Sequence, residues 1–179
     1  MASSNPNYHR HSIRLPGYDY SQPGAYYITI CTHNRQCLFG EIVNNEMILN
    51  EYGEIANKYW NEIPKHYTNT QLDEYVIMPN HIHGIIFIVG AIHELPLQQN
   101  EFSQLIQRRK MLLPKIIGRF KMNAAKQINQ IRQTPGIPVW QRNYYEHIIC
   151  DADDLSRIRH YISDNPKNWN NDEYNINPQ

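Results

Sequence analysis

Two histidines one residue apart, His81 and His83, stand at the head of the apolar run HIHGIIFIV. Side chains along a strand alternate between faces, so an H-x-H pair in a strand turns both imidazoles the same way. Two neutral imidazoles side by side are natural metal ligands, while two satisfied polar residues on a solvated face are the plainer reading of the same spacing. Far downstream, Tyr161 and Asn165 lie four residues apart in LSRIRHYISDNP, where Leu155, Ile158 and Ile162 recur at helical spacing. Residues at i and i+4 share a helix face, which sets the phenol and the amide one turn apart beside the apolar stripe. In a chain with thirteen tyrosines, the aromatic edge of a packed helix is the simpler account of Tyr161, and Tyr144 and Tyr145 are competing phenols.

The elements that must position these groups follow from pattern. Ala25 to Thr32 (AYYITICT) follows Pro23-Gly24 and reads as a first strand. GEIVNNEMILN carries Asn44-Asn45 between two short apolar runs, a hairpin. Tyr52, Ile55, Ala56, Tyr59, Trp60 and Ile63 predict a helix from Glu51 to Ile63 capped by Asn50. EYVIMP and HIHGIIFIV, split by Pro79-Asn80, read as antiparallel neighbours. Ala91 to Gln107 reads as a mobile connection, and a second helix starts near Pro114. There Ile117, Phe120, Ala124, Ile128 and Ile131 form one stripe, with Lys115, Arg119 and Lys126 nearly opposite. VWQRNYYEHIIC is extended, and Asp151 caps a last helix that Asn165-Pro166 closes. Strand, hairpin, helix, two strands, helix, strand and helix predict an α+β fold: an antiparallel sheet with helices packed against it, a ferredoxin-like or RRM-like layer sandwich. The boundaries read as an N-terminal extension over 1–24, a single domain over 25–169 and a flexible tail over 170–179.

A chain of 179 residues buries a substantial core without staples. Cys31, Cys37 and Cys150 are odd in number and lack paired C-x-x-C spacing, which argues against a disulfide framework or zinc ribbon and fits a reducing cytoplasm. The longest apolar run, Ile85 to Val89, is too short to cross a bilayer, so no membrane partner is expected. The formal charge is zero, yet Arg108 to His147 holds nine cations and one anion, Glu146. That region can attract a polyanion despite the neutral average.

The stretch YVIMPNHIHGIIFIV resembles the metal-binding strand of the single-tyrosine HUH transposases, the insertion-sequence and REP-associated enzymes. VWQRNYYEHII followed by DADDLSRIRHYISDNPKNW resembles that family's second signature, a helix that presents a tyrosine shortly before an N-P dipeptide. The resemblance spans Ala25 to Trp169. It implies that His81 and His83 are metal ligands, that Asn165 is the third ligand where many relatives carry Gln, and that Tyr161 is the nucleophile. It also implies a metal-dependent endonuclease and strand transferase acting on single-stranded DNA, hairpin-bearing, through a 5′-phosphotyrosine intermediate. Mg²⁺ or Mn²⁺ suits imidazole plus an amide oxygen, although two histidines also suit Zn²⁺ or Ni²⁺. Arg108, Arg109, Lys110, Lys115, Arg119, Lys126 and Arg142 are the expected DNA contacts. Glu146 and His147 stand either near the metal or as ordinary strand residues. A non-catalytic module that binds single-stranded DNA hairpins and a metal hydrolase acting with water are the rival readings, and a homodimer is left open.

Overall fold

The computed structural model describes residues 19–20, 22–90 and 111–175. The 91–107 connection and Arg108, Arg109 and Lys110 lie outside the described residues. The β-branched and aromatic run after Pro23 forms β1, Gly24–Cys31, which is buried almost throughout. It is a central strand, antiparallel to β5 (His81–Ile88) on one side and to β6 (Tyr145–Ile149) on the other. β4 (Thr70–Ile77) pairs antiparallel with β5 and completes a four-stranded sheet in the order β4-β5-β1-β6. The expected hairpin forms from β2 (Gly40–Val43) and β3 (Glu46–Leu49). Asn44 and Asn45 take φ of 52° and 65°, the left-handed pair that a two-residue turn matched to strand twist requires.

Asn50 Oδ1 accepts the backbone N–H groups of Tyr52 and Gly53 and starts α1, Glu51–Asn61. A short turn of helix, α2, follows at Ile63–His66, so the predicted single helix is interrupted at Glu62. α3 runs Leu112–Ile131, and α4 runs Ala152–Asp164 with the Asp151 carboxylate capping Asp154. Without the inserted hairpin, the long elements follow the β-α-β-β-α-β order of a ferredoxin-like sandwich. Among the described residues, no helix is long and apolar enough to cross a membrane.

Alternation along the strands decides what each face carries. Tyr26, Ile28, Ile30, Ile82 and Ile86 point to one side and make the main core with Trp60 of α1 and Ile117, Phe120, Ala124 and Ile128 of α3. Ile131, the last residue of the predicted stripe, is partly exposed at the helix end. Ala25, Tyr27 and Ile85 point to the other side and pack under Ile158 and Ile162 of α4. Among the described residues, the long helices α1 and α3 thus cover one face of the sheet and α4 the other. Tyr20, read from sequence as part of an extension, is buried against Tyr26.

Candidate metal and tyrosine site

His81 and His83 both belong to the face under α4, as their spacing predicts, and both are fully buried. The protonation of His81 follows from its neighbour. The Asn80 amide nitrogen donates to the carbonyls of Arg35 (3.1 Å) and Tyr174 (2.8 Å), so its oxygen is the end that faces His81 Nδ1, at 2.8 Å. An amide oxygen only accepts; His81 therefore carries its proton on Nδ1 and keeps a lone pair on Nε2. That Nε2 is buried without a hydrogen-bond partner among the described residues. His83 is held from behind in the same manner: its Nδ1 lies 2.7 Å from the Tyr27 hydroxyl and 2.9 Å from Thr29 Oγ1. Its Nε2 faces the Tyr161 hydroxyl at 3.5 Å. Burial pushes His81 down to about 3 and His83 well below the usual imidazole range, so both rings are neutral at pH 7.

α4 brings Tyr161 and Asn165 over this pair. The Tyr161 ring sits 5.2 Å from that of His83 and 43% of the residue remains exposed. Asn165, only 2% exposed, directs its amide at His81, Tyr161 and Asp172, and its Oδ1 is buried without a partner among the described residues. The four residues proposed from sequence therefore come together.

A fifth was missed. Asp172 Oδ2 lies 4.0 Å from His81 Nε2, and one ligand atom from each of His81, His83 and Asp172 falls within 4.8 Å of the others, a group able to hold a metal ion. The stretch read from sequence as a tail over 170–179 is described as far as residue 175. After α4, Trp169–Asn171 makes a 3-10 turn, and the following residues are tied across the site. Arg35 donates to the Glu173 carbonyl at 2.8 Å, and Asn80 holds that of Tyr174. The Tyr174 ring then covers His81 at 4.7 Å. Residues 176–179 lie outside the described residues.

Orphaned lone pairs on His81 Nε2 and Asn165 Oδ1 beside a buried carboxylate fit a divalent cation. Bonds of about 2.0–2.2 Å to such an ion place ligand atoms at most about 4.4 Å apart, so the group has only a little to close. Burial raises the Asp172 carboxyl, as expected of an anion facing neutral groups. Burial, then the Asp172 and Glu173 carboxylates, raises the Tyr161 phenol, which is therefore protonated at pH 7.

The basic ridge is not brought to this site. Lys115, Arg119 and Lys126 are exposed on α3, across the sheet from the histidines. Arg119 reaches His66 Nδ1 at 3.3 Å. Arg142 is exposed before β6. Lys121, counted among the cations of this region, turns inward, and its Nζ donates to the carbonyls of Gln141, Arg142 and Asn143. Trp140 is buried with its indole N–H on the Lys121 carbonyl. Glu146 is buried on the core side, and His147 pairs with Asp154 at 2.8 Å. All three cysteines are free.

This antiparallel sheet with helices packed on it is similar in fold to a solved tyrosine transposase. The solved structure of the REP-associated tyrosine transposase bound to a REP hairpin matches 89% of this chain and 74% of its own, at a TM-score of 0.50 and 17% identity. At that identity the likeness establishes the fold. The chain matches no protein-family model. It is 42% identical over 170 residues to an uncharacterized protein of Haemophilus influenzae (strain ATCC 51907 / DSM 11121 / KW20 / Rd), covering 93% of each chain, and it belongs to that protein's family.

Proposed function

We propose that this chain is a metal-dependent single-stranded DNA endonuclease and strand transferase in which Tyr161 is the nucleophile. The observation that supports this reading most is the convergence of a half-exposed phenol on a buried metal-binding group, His81, His83 and Asp172, with Asn165 between them. The two imidazoles and the Asp172 carboxylate would hold Mn²⁺ or Mg²⁺, with the Asn165 oxygen as a further ligand. The ion supplies positive charge against a phosphodiester and against the developing phenolate. Tyr161 Oη would form a bond to phosphorus while the P–O3′ bond breaks, leaving a 5′-phosphotyrosine and a protonated 3′-OH. Because the phosphodiester energy is kept in the covalent link, reversal by a 3′-OH rejoins strands without nucleotide hydrolysis. Asn80, Tyr27 and Thr29 orient the imidazoles from behind, and the α4 stripe fixes the angle of Tyr161. The hairpin in the structural neighbour supports a hairpin-bearing single strand as partner.

Incubation with labelled single-stranded DNA and Mn²⁺, resolved on a denaturing gel, tests this. An adduct lost in Tyr161→Phe and kept in Tyr144→Phe and Tyr145→Phe is expected. Cleavage without an adduct identifies a water-using metal hydrolase, and binding with neither identifies a non-catalytic module. An adduct that survives Tyr161→Phe and maps to another tyrosine overturns the choice of nucleophile.

A further inference from the structure

Beyond Tyr161 the site face continues onto the outer strand. Register sets Tyr145 beside Thr29 and His147 beside Tyr27, while Thr29 and Tyr27 face His83 and Ile85 on the opposite side. At about 4.8 Å per strand, Tyr145 lies about 10 Å from the metal-binding strand. α4 roofs this region with Ile158 and with Arg157, one turn before Tyr161. Between them opens a cavity of about 550 Å³, a size suited to a nucleotide-sized ligand. One wall is aromatic: Tyr145, 44% exposed, is held edge-to-face against Tyr27 at 6.2 Å. The rim carries one guanidinium, that of Arg157. The Asp154 carboxylate accepts from both His147 Nε2 and Arg157 Nη2, fixing imidazole and guanidinium together and leaving other guanidinium donors for a ligand. Glu173, also at the rim, offers an acceptor suited to an exocyclic amino group.

We infer that this cavity is a subsite for the nucleotide adjoining the scissile phosphate, its base stacked on Tyr145 and its phosphate held by Arg157. Tyrosine faces accept any base, and a guanidinium braced by a carboxylate is pre-oriented for a phosphate. The inference rests on single-stranded DNA being the substrate.

The test uses the Tyr161→Phe chain, which binds without cleaving, and single strands each carrying one abasic site at successive positions, with affinity read by fluorescence anisotropy. One position should weaken binding about 5- to 150-fold, the range for loss of one base–aromatic stack. Adding Tyr145→Ala should cost a similar factor on the intact strand and nothing further on that abasic strand; Tyr145→Phe should bind as before. Arg157→Gln should lower affinity and reduce the log-log salt slope by about 0.7, one phosphate contact. Equal losses on every abasic strand, or unchanged affinity in Tyr145→Ala, overturn the subsite. If the abasic coupling holds while the Tyr161-bearing protein forms no adduct, the subsite stands and the cleavage reading falls; if an adduct forms without the coupling, cleavage stands and the subsite falls.

Discussion

Replacing Gly84 by alanine should destabilise the protein and loosen the site through one contact. Gly84 follows His83 on β5 and faces the opposite core, where a Cβ would meet Trp60 Cζ2 at 2.4 Å and Tyr75 Cβ at 3.0 Å. Carbon atoms pack best at about 3.5–4.0 Å, so the overlap with the indole exceeds about 1 Å. Trp60 has nowhere to go: it is fully buried, with Phe120 edge-on at 5.4 Å and Tyr75 at 6.0 Å. Overpacking of this kind costs about 1–3 kcal/mol, partly offset by about 0.4–1 kcal/mol from the stiffer unfolded chain. A net loss of about 1 kcal/mol lowers Tm by about 2–4 °C for a chain of this size, measurable by thermal and urea denaturation. Relief requires β5 to shift, so Mn²⁺ affinity should fall with stability. Trimming the indole in Gly84→Ala/Trp60→Leu should remove the clash, giving a double variant more stable than the summed single losses by at least about 1 kcal/mol. A Gly84→Ala protein within about 0.5 kcal/mol of the parent, or strict additivity in the cycle, would refute the argument.

Mn²⁺ at a hundred times its Kd should stabilise chelator-treated protein by about 2.7 kcal/mol, and an equal shift in His81→Ala/His83→Ala would place the ion elsewhere. Asp172→Asn and Asn165→Ala, compared by calorimetry, should each weaken Mn²⁺ binding; an unchanged affinity in either removes that residue from the ligand set. Burial lowers Lys121 to about 8 against an ordinary 10.5. The unfolded chain therefore binds more protons between those values, so this group adds up to about 3 kcal/mol of stability as pH rises through that window. Cys31, raised by burial to about 11, acts in the opposite direction, so the check is the difference between parent and Lys121→Met slopes in urea titrations. Glu at Lys115, Arg119 and Lys126 together should weaken binding of long hairpin-bearing strands and flatten the salt slope, yet leave short strands that fill only the tyrosine face unaffected.

The sequence patterns carried the fold because its elements announce themselves locally. Asn44-Asn45 has few uses other than a tight hairpin turn, Asn50 and Asp151 cap the helices they precede, and alternation in HIHGIIFIV settles which side chains share a face. What the periodicity of α3 could not supply was its layer. A helical wheel separates Lys115, Arg119 and Lys126 from the apolar stripe, but it is silent on which side of the sheet that helix lies. Composition likewise counted Lys121 among the cations of a region able to attract a polyanion, although its ammonium is consumed by three carbonyls of the segment entering β6.

The site shows the same division. The shared faces of His81 with His83 and of Tyr161 with Asn165 were legible because each pair follows one local period, while the roles expected of them came from the resemblance to the transposases. Asp172 and Tyr174 sit in a polar segment with no period and few apolar residues, so nothing local distinguishes them from a solvated terminus. Their positions are set by partners far away in sequence, the Arg35 guanidinium and the Asn80 amide. Asn80 joins the two kinds of information: its oxygen fixes the His81 tautomer while its nitrogen anchors the Tyr174 carbonyl, just beyond Asp172. The amide that leaves His81 Nε2 with a free lone pair thus also helps deliver the carboxylate that Nε2 faces, and the imidazole donor and its anionic companion are assembled by one side chain.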